Sequence, residues 1–355
     1  MTTVLLAAGR YGKDLAARIA QGLDPRLDMF ELRDALGEGA RLLDFGSLDE
    51  SPRTEVRMLR RAVGDSAALA WLAVRDYPGA QAYFTSGEDI GIPLALLLRA
   101  RGSHARHVMV AHTLAPAKKR PFFTLLKAHK KIDKILCYAS NEERIMRDEL
   151  GIEPWRIERI RYHADERFFR PMPEVPVEPD LICSAGQLLR DYPTLIEATR
   201  GLGLRVHVAA GSPWIAHELR PDAALPAHVT WRRYNRFELR DLYARAAIAV
   251  VPIFENEYQT GISTILELMA MGKALIVTKT RGQTDTIIDG ESGLYVPPGD
   301  PKALAAAIER LRADPDLRKR LGAAARAFVE REAGLDLFTS KITSALRAAA
   351  QAKAA

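Results

Sequence analysis

The 355-residue chain is poor in cysteine, with only Cys137 and Cys183. Two cysteines are too few for a disulfide framework and lack the CxxC spacing of a zinc or redox site, so a reduced, cytosolic setting is expected. Long apolar runs are missing too. No stretch approaches the roughly 20 residues that a membrane-spanning helix needs. The opening MTTVLLAAGRYGKD has one short apolar run that ends in glycine and charged residues, which is not the pattern of a signal peptide. There is no tandem repeat, and only the alanine-rich end approaches low complexity. His104, His107, His129, His207, His217 and His228 have no ligand-like spacing, so no metal and no other cofactor is expected.

What is present is a mix of 48% hydrophobic and 27% charged residues, which fits a folded protein of two domains better than one large one. Short β-branched runs alternate with helical patterns along almost the whole length. That alternation predicts an α/β fold with parallel sheets. Strands are expected at 4–8, 82–85, 107–111 and 134–138, each followed by a helix. At 171–179 the chain reads PMPEVPVEP, four prolines in nine positions, too proline-dense for a helix or central strand. The expected organisation is therefore a first domain at 1–170, a connector at 171–180 and a second domain at 181–334. In the second domain, strands are expected at 181–184, 205–209, 228–231 and 248–252, with helices near 193–200, 302–312 and 315–332. A terminal helix at 335–355 is expected to pack back on the first domain.

The net charge of +6 is local rather than spread: residues 99–134 hold ten basic residues and one acid, Asp133, a net +9 that leaves the rest of the chain at −3. If 118–131 is a helix, Arg120, Lys127, Lys131 and Lys134 share one face, and Phe122, Leu125 and Leu126 another. Two readings stand at this point: a helix lying on an anionic membrane surface, or a core-facing apolar stripe with a solvated basic back. Lys118, Lys119, Arg120, Lys127, Lys130 and Lys131 are the candidate membrane or acceptor contacts. The window lacks the interleaved aromatics of a stacking platform, so nucleic acid is not an expected partner.

The most informative stretch runs from Val250 to Asp300. A strand ends at Val251-Pro252, a polar loop follows, and a helix opens at Gly261-Ile262-Ser263. Ligands of open parallel sheets sit beyond the carboxyl ends of the strands, and a helix N-terminus there offers N–H groups and positive dipole to a phosphate. Glu267, one and a half turns in, would be repelled by a diphosphate unless it bonded hydroxyls. A nucleotide sugar satisfies both; an ordinary β-α unit with a solvated Glu267 is the alternative.

The run from Gln259 to Gly272, with Gly282, Gly290, Gly293 and VPPGD at 296–300, resembles the C-terminal signature of the family-4 retaining glycosyltransferases (glycosyl transferases group 1). The resemblance implies the GT-B fold, with two Rossmann-like domains facing across a cleft. The family places two glutamates eight positions apart: Glu267 matches the second, and Gln259 stands in place of the first. A second match, SAGQLLRDYPTLIEAT at 184–199, places Gln187 where the family has an arginine and Arg190 where it has a lysine. The implied donor-binding set is Gly12, Gln187, Arg190, Tyr234, Gln259, Thr260, Gly261, Ile262, Ser263 and Glu267. Arg190 is suited to gripping phosphate, and Tyr234 to stacking on the base. His112, at the end of VMVA, resembles the family's strand-ending histidine near the transferred sugar; with Arg190 and Glu267 it completes the implied catalytic set. The implied activity is retaining transfer of a sugar from a nucleoside-diphosphate sugar to a hydroxyl acceptor, lipid-linked if the basic segment docks on a membrane. The implied location is cytoplasmic, peripheral on the membrane's inner face. Two alternatives remain: a protein that binds without transfer, given Gln187 and Gln259, and another GT-B enzyme such as a nucleotide-sugar epimerase.

Overall fold

The computed structural model describes residues 2–211 and 225–351, in two units. The first comprises Met1–Leu15, Arg26–Arg161 and Asp336–Ala355; the second Ala16–Pro25 and Tyr162–Leu335. The first unit is built on a sheet of β1 (Thr3–Leu6), β2 (Ala40–Leu43), β3 (Ala82–Thr85), β4 (Arg106–Val110), β5 (Lys134–Cys137) and β6 (Ile157–Arg159) in the order β2-β1-β3-β4-β5-β6. The second is built on β7 (Glu178–Ala185), β8 (Arg205–Ala209), β9 (Val229–Arg232), β10 (Ala246–Val251), β11 (Leu275–Thr278) and β12 (Leu294–Val296), ordered β12-β11-β10-β7-β8-β9. Every pairing is parallel. The chain is thus α/β throughout.

Parallel sheets need helices on both faces, so their strands read as unbroken apolar runs. β10 shows why: all six residues of AAIAVV are buried. Ala249 and Val251 join one core with Leu266, Leu268 and Met269 of the helix Ile262–Ala270. Ile248 and Val250 join the opposite core with Tyr192, Leu195, Ile308 and Leu311. The cores hold the strand ends in place, and the loops that leave those ends carry the site.

Two expectations are corrected. β7 begins at Glu178, inside the proline-rich stretch, and Met172 and Val175 pack on the adjacent core. Pro179 is accommodated because the β7–β10 register shifts between Ala246 and Ile248, where a missing N–H breaks no regular ladder. Second, residues 118–131 are not one helix. Pro121 sits in the first turn of a five-residue helix, Arg120–Thr124. Lys127 then takes a left-handed conformation at φ 50°, and a 3₁₀ turn, Ala128–Lys131, follows. The break rotates the faces: Phe123, Ala128 and His129 are buried, whereas Leu125 and Leu126 are exposed. The terminal helix is described over Leu335–Gln351; the remainder of the expected 335–355 helix, like His217, lies outside the described residues.

Candidate functional site

In the second sheet the strand order reverses between β7 and β10, because the chain builds outward through β8 and β9 before returning to the other side of β7. The loops leaving β7 and β10 therefore border one crevice, the ordinary ligand position of such sheets. They meet directly, with Arg190 bridging to Ile253.

Arg190 is 6% exposed. Its Nε donates to the Ala185 carbonyl at 2.9 Å, its Nη1 to the Leu188 carbonyl at 2.9 Å and its Nη2 to Thr264 Oγ1 at 3.4 Å. It makes no ion pair with a carboxylate among the described residues. Burial pulls its pKa down, yet a guanidinium stays charged. The result is a desolvated cation with donor capacity to spare, which favours an incoming anion. Two glycines make room for it. A Cβ on Gly186 (φ +98°) would come within 2.4 Å of Nη2, and one on Gly261 (φ +85°) within 3.2 Å of both terminal nitrogens.

Gly261 is also the left-handed N-cap of the helix Ile262–Ala270, which no side chain caps. The first-turn N–H groups and the exposed Ser263 thus stand beside the Arg190 guanidinium, and cation and helix dipole reinforce each other. Ile262 packs into the core and Thr260 is buried.

Glu267, on the same helix, is 8% exposed. Its Oε1 accepts from Arg236 Nη1 at 3.1 Å and its Oε2 from the Tyr243 hydroxyl at 3.3 Å. Burial raises its pKa, opposed by the Arg236 charge and the Tyr243 bond. Gln259 donates to Thr286 Oγ1 at 3.2 Å, Thr286 donates to Gln283 Oε1 at 2.6 Å, and Gln283 donates to the Thr260 carbonyl at 3.0 Å. The Gln259 amide oxygen has no partner among the described residues. Gln187 is buried and donates to the Ala210 carbonyl at 2.7 Å, its own amide oxygen unpartnered among the described residues. These buried acceptors suit hydroxyl donors. Tyr234 has the Arg232 guanidinium 3.9 Å from its ring centroid and its hydroxyl 3.3 Å from His207 Nδ1, so one ring face is already covered.

Gly12 and His112 belong to the first unit. A Cβ on Gly12 would meet only the Asp14 carboxylate, so space does not demand glycine there. Gly9 shares its loop and accepts from Phe45 N at 2.8 Å. His112 is exposed, and its Nε2 lies 2.8 Å from the Ser86 carbonyl. A carbonyl only accepts, so His112 Nε2 carries the hydrogen and donates it. Ser86 precedes the helix Glu88–Ala100 but does not cap it. Instead its hydroxyl accepts from Ala8 N at 3.0 Å, and no side chain caps Gly87.

The basic window is largely engaged within the first unit. Lys119 is paired with Glu88 at 2.6 Å and Asp89 at 3.1 Å, Arg120 with Glu149 at 2.5 Å, and Lys130 with Glu153. Burial lowers the Lys131 pKa. Among the described residues no group of three His, Cys, Asp or Glu is placed to hold a metal, and no helix is long and apolar enough to cross a membrane. Arg236, Tyr243 and Thr264 escaped sequence reasoning; only spatial proximity to Glu267 and Arg190 reveals them.

Residues 184–314 match the model of the family glycosyl transferases group 1. The D-inositol 3-phosphate glycosyltransferase of Streptomyces bingchenggensis is 37% identical over 94 residues, 26% of this chain and 20% of that protein. The chain thus spans about a fifth of that curated relative's length. Among solved structures, sucrose-phosphate synthase from Thermosynechococcus elongatus superposes with a TM-score of 0.75 at 17% identity, covering 98% of this chain and 99% of that one. HepE of Anabaena, solved in complex with UDP-glucose, superposes at 0.71 with 13% identity, covering 98% and 100%. At such identities the superpositions show a shared fold alone, the GT-B fold. The β7-to-β10 crevice that holds Arg190, Gly261 and Glu267 lies inside the segment that matches the model of the glycosyl transferases group 1 family.

Proposed function

We propose that the chain is a glycosyltransferase that moves a sugar from a nucleoside-diphosphate sugar to a hydroxyl acceptor with retention at the anomeric carbon. The observation that carries the reading is the Arg190 guanidinium, buried without a carboxylate partner among the described residues, against the uncapped helix start at Gly261. A diphosphate is the ligand whose charge and oxygen-rich geometry match it. The UDP-glucose in the HepE complex supports the same ligand class.

In this reading Arg190 and the N–H groups at Gly261 to Ser263 hold the diphosphate, and Glu267, Gln259 and Gln187 accept from ribose or sugar hydroxyls. The bond from the anomeric carbon to the diphosphate oxygen breaks, and charge growing on that oxygen is stabilised electrostatically. The acceptor oxygen bonds the same carbon from the face being vacated, and its proton passes to the departing phosphate. His112 lies beside the sugar or the acceptor. The acceptor is lipid-linked, and the first unit touches an anionic membrane through Lys118, Lys127 and the exposed Leu125 and Leu126.

The test is a panel of nucleotide sugars, scored for transfer and for slow donor hydrolysis, on the wild type, Arg190→Ala and Glu267→Ala. Each variant is expected to lose about 100-fold or more in kcat/KM, as when one transition-state donor is removed elsewhere. Near-normal kinetics for both would end the assignment. Gln187, turned to a backbone carbonyl rather than offering a cation, favours a second reading in which nucleotide sugar is bound without transfer. Tight donor binding with neither hydrolysis nor transfer would support it.

A further inference from the structure

Two buried carboxylates in the first unit have no part in the reaction as described. Glu88 lies in the first turn of the helix Glu88–Ala100, after β3, and is 3% exposed. Glu142 lies in the first turn of Ser140–Arg144, after β5, and is 4% exposed. In the sheet, β3 and β5 flank β4. The helices following both neighbours therefore reach the loop that leaves β4, where His112 sits.

Their oxygens are spent on that loop's backbone. Glu88 Oε2 accepts from His112 N at 2.9 Å and Glu88 Oε1 from Thr113 N at 3.2 Å. Glu142 Oε1 accepts from Leu114 N at 2.5 Å. Three consecutive amides thus bond to carboxylates from two other elements. Lys119, further along the same loop, closes the arrangement: its ammonium pairs with Glu88 at 2.6 Å and donates to the Thr113 carbonyl at 3.3 Å. The Ser86 carbonyl, two residues before Glu88, receives the His112 ring. Burying two carboxylates costs free energy, which the three backbone N–H bonds and the Lys119 ammonium offset.

We propose that Glu88, Lys119 and Glu142 form a brace that fixes the backbone of residues 112–114 and so sets the position of the His112 ring. All three are positioning residues, acting through the loop rather than on substrate. The link from brace to catalysis rests on the transferase reading above. If His112 meets the sugar or acceptor, its placement must hold within about half an ångström, and a loosened loop lowers kcat more than it raises donor KM, because the donor phosphate is held elsewhere.

The experiment combines amide hydrogen exchange on the full chain with transfer kinetics. Glu142→Ala should speed exchange at Leu114 about tenfold or more, the effect of orphaning a buried donor, and lower kcat about as much with donor KM within about twofold. Glu142→Gln keeps an acceptor oxygen in place and should restore both. Because Glu88 variants leave a buried ammonium, Glu88→Gln is paired with Lys119→Met, and melting curves confirm that each variant is folded. Unchanged exchange at 112–114 in folded Glu142→Ala overturns the brace, as does a loosened loop with unchanged kcat in an active enzyme. Lost protection rescued by Glu142→Gln, in a chain that turns over no nucleotide sugar, upholds the brace and rejects the transferase reading instead.

Discussion

Single residues carry the site's electrostatics, and two acids show how burial sets their chemistry. Burial pushes the Glu142 carboxyl up to about 7 from an ordinary 4.5, with Glu88 adding to the shift and the Leu114 N–H opposing it. The folded state therefore holds a proton that the unfolded chain releases. Stability from this group is fully present below about pH 4.5 and is lost as pH rises through about 7. At pH 8 the burden approaches ~3 kcal/mol by linkage. Glu142→Gln is accordingly expected to raise stability at pH 8, to be nearly neutral at pH 4.5, and to flatten the slope between, all measured by urea unfolding at several pH values.

Glu267 is subject to the same burial but has Arg236 to oppose it. Removing that cation disfavours the carboxylate further. Arg236→Met should move the acid limb of nucleoside-diphosphate binding to higher pH while leaving affinity near normal at the alkaline end. Calorimetric titrations across pH check this, and an unshifted limb would mean that Arg236 does not govern Glu267.

At the scale of elements, the helix Ile262–Ala270 begins where it does because Gly261 takes φ +85°. Gly261→Ala forces a side chain into left-handed backbone, worth roughly 1–2 kcal/mol, and crowds the Arg190 fork. Lower stability by that amount together with weaker nucleotide binding is expected, seen in paired urea melts and binding isotherms. Strands of this kind are the part of the fold most legible in sequence: 82–85 and 205–209 are bounded as their apolar runs suggest. The helix expected over 118–131 fails because hydrophobic spacing carries no record of the left-handed turn at Lys127. For the site, Arg190 and Glu267 were visible because each sits within a continuous motif. Arg236 and Tyr243 were not, since they meet Glu267 from 31 and 24 positions away. Glu88 was not legible as a partner of His112, since their bond spans 24 residues.

Over the whole molecule, the uneven charge looks different once partners are assigned. A net +9 in residues 99–134 suggested a broad basic surface, but pairing of Lys119, Arg120 and Lys130 with Glu88, Glu149 and Glu153 consumes much of it. What remains for an anionic membrane is a smaller patch around Lys118 and Lys127 beside two exposed leucines. With about 1 kcal/mol available per cation, binding should be weak and should vanish as salt shortens the screening length. Co-sedimentation with vesicles rich in anionic lipid, at low and physiological salt, is expected to show this preference and to lose it in Lys118→Glu/Lys127→Glu. Equal partitioning to neutral vesicles at low salt would remove the membrane from the function.

The first unit takes its parts from segments far apart in the chain, with Asp336 onward joining residues before Arg161. In that helix Phe338, Ile342 and Leu346 are buried, Phe338 lies 6.2 Å from Tyr138 between ring centroids, and Asp336 pairs with Arg26 at 2.6 Å. On the ribosome, then, the segment that emerges first must wait for one made much later. At about 5–20 residues per second, the delay is on the order of ten to thirty seconds, during which Tyr138 and its apolar neighbours stay uncovered. The second unit ends at Leu335 and completes first, so the nascent chain passes through a stage with a finished second unit and an unfinished first one. Chaperone demand falls on the first unit, and a stop codon after Leu335 would turn that passing stage into the end product.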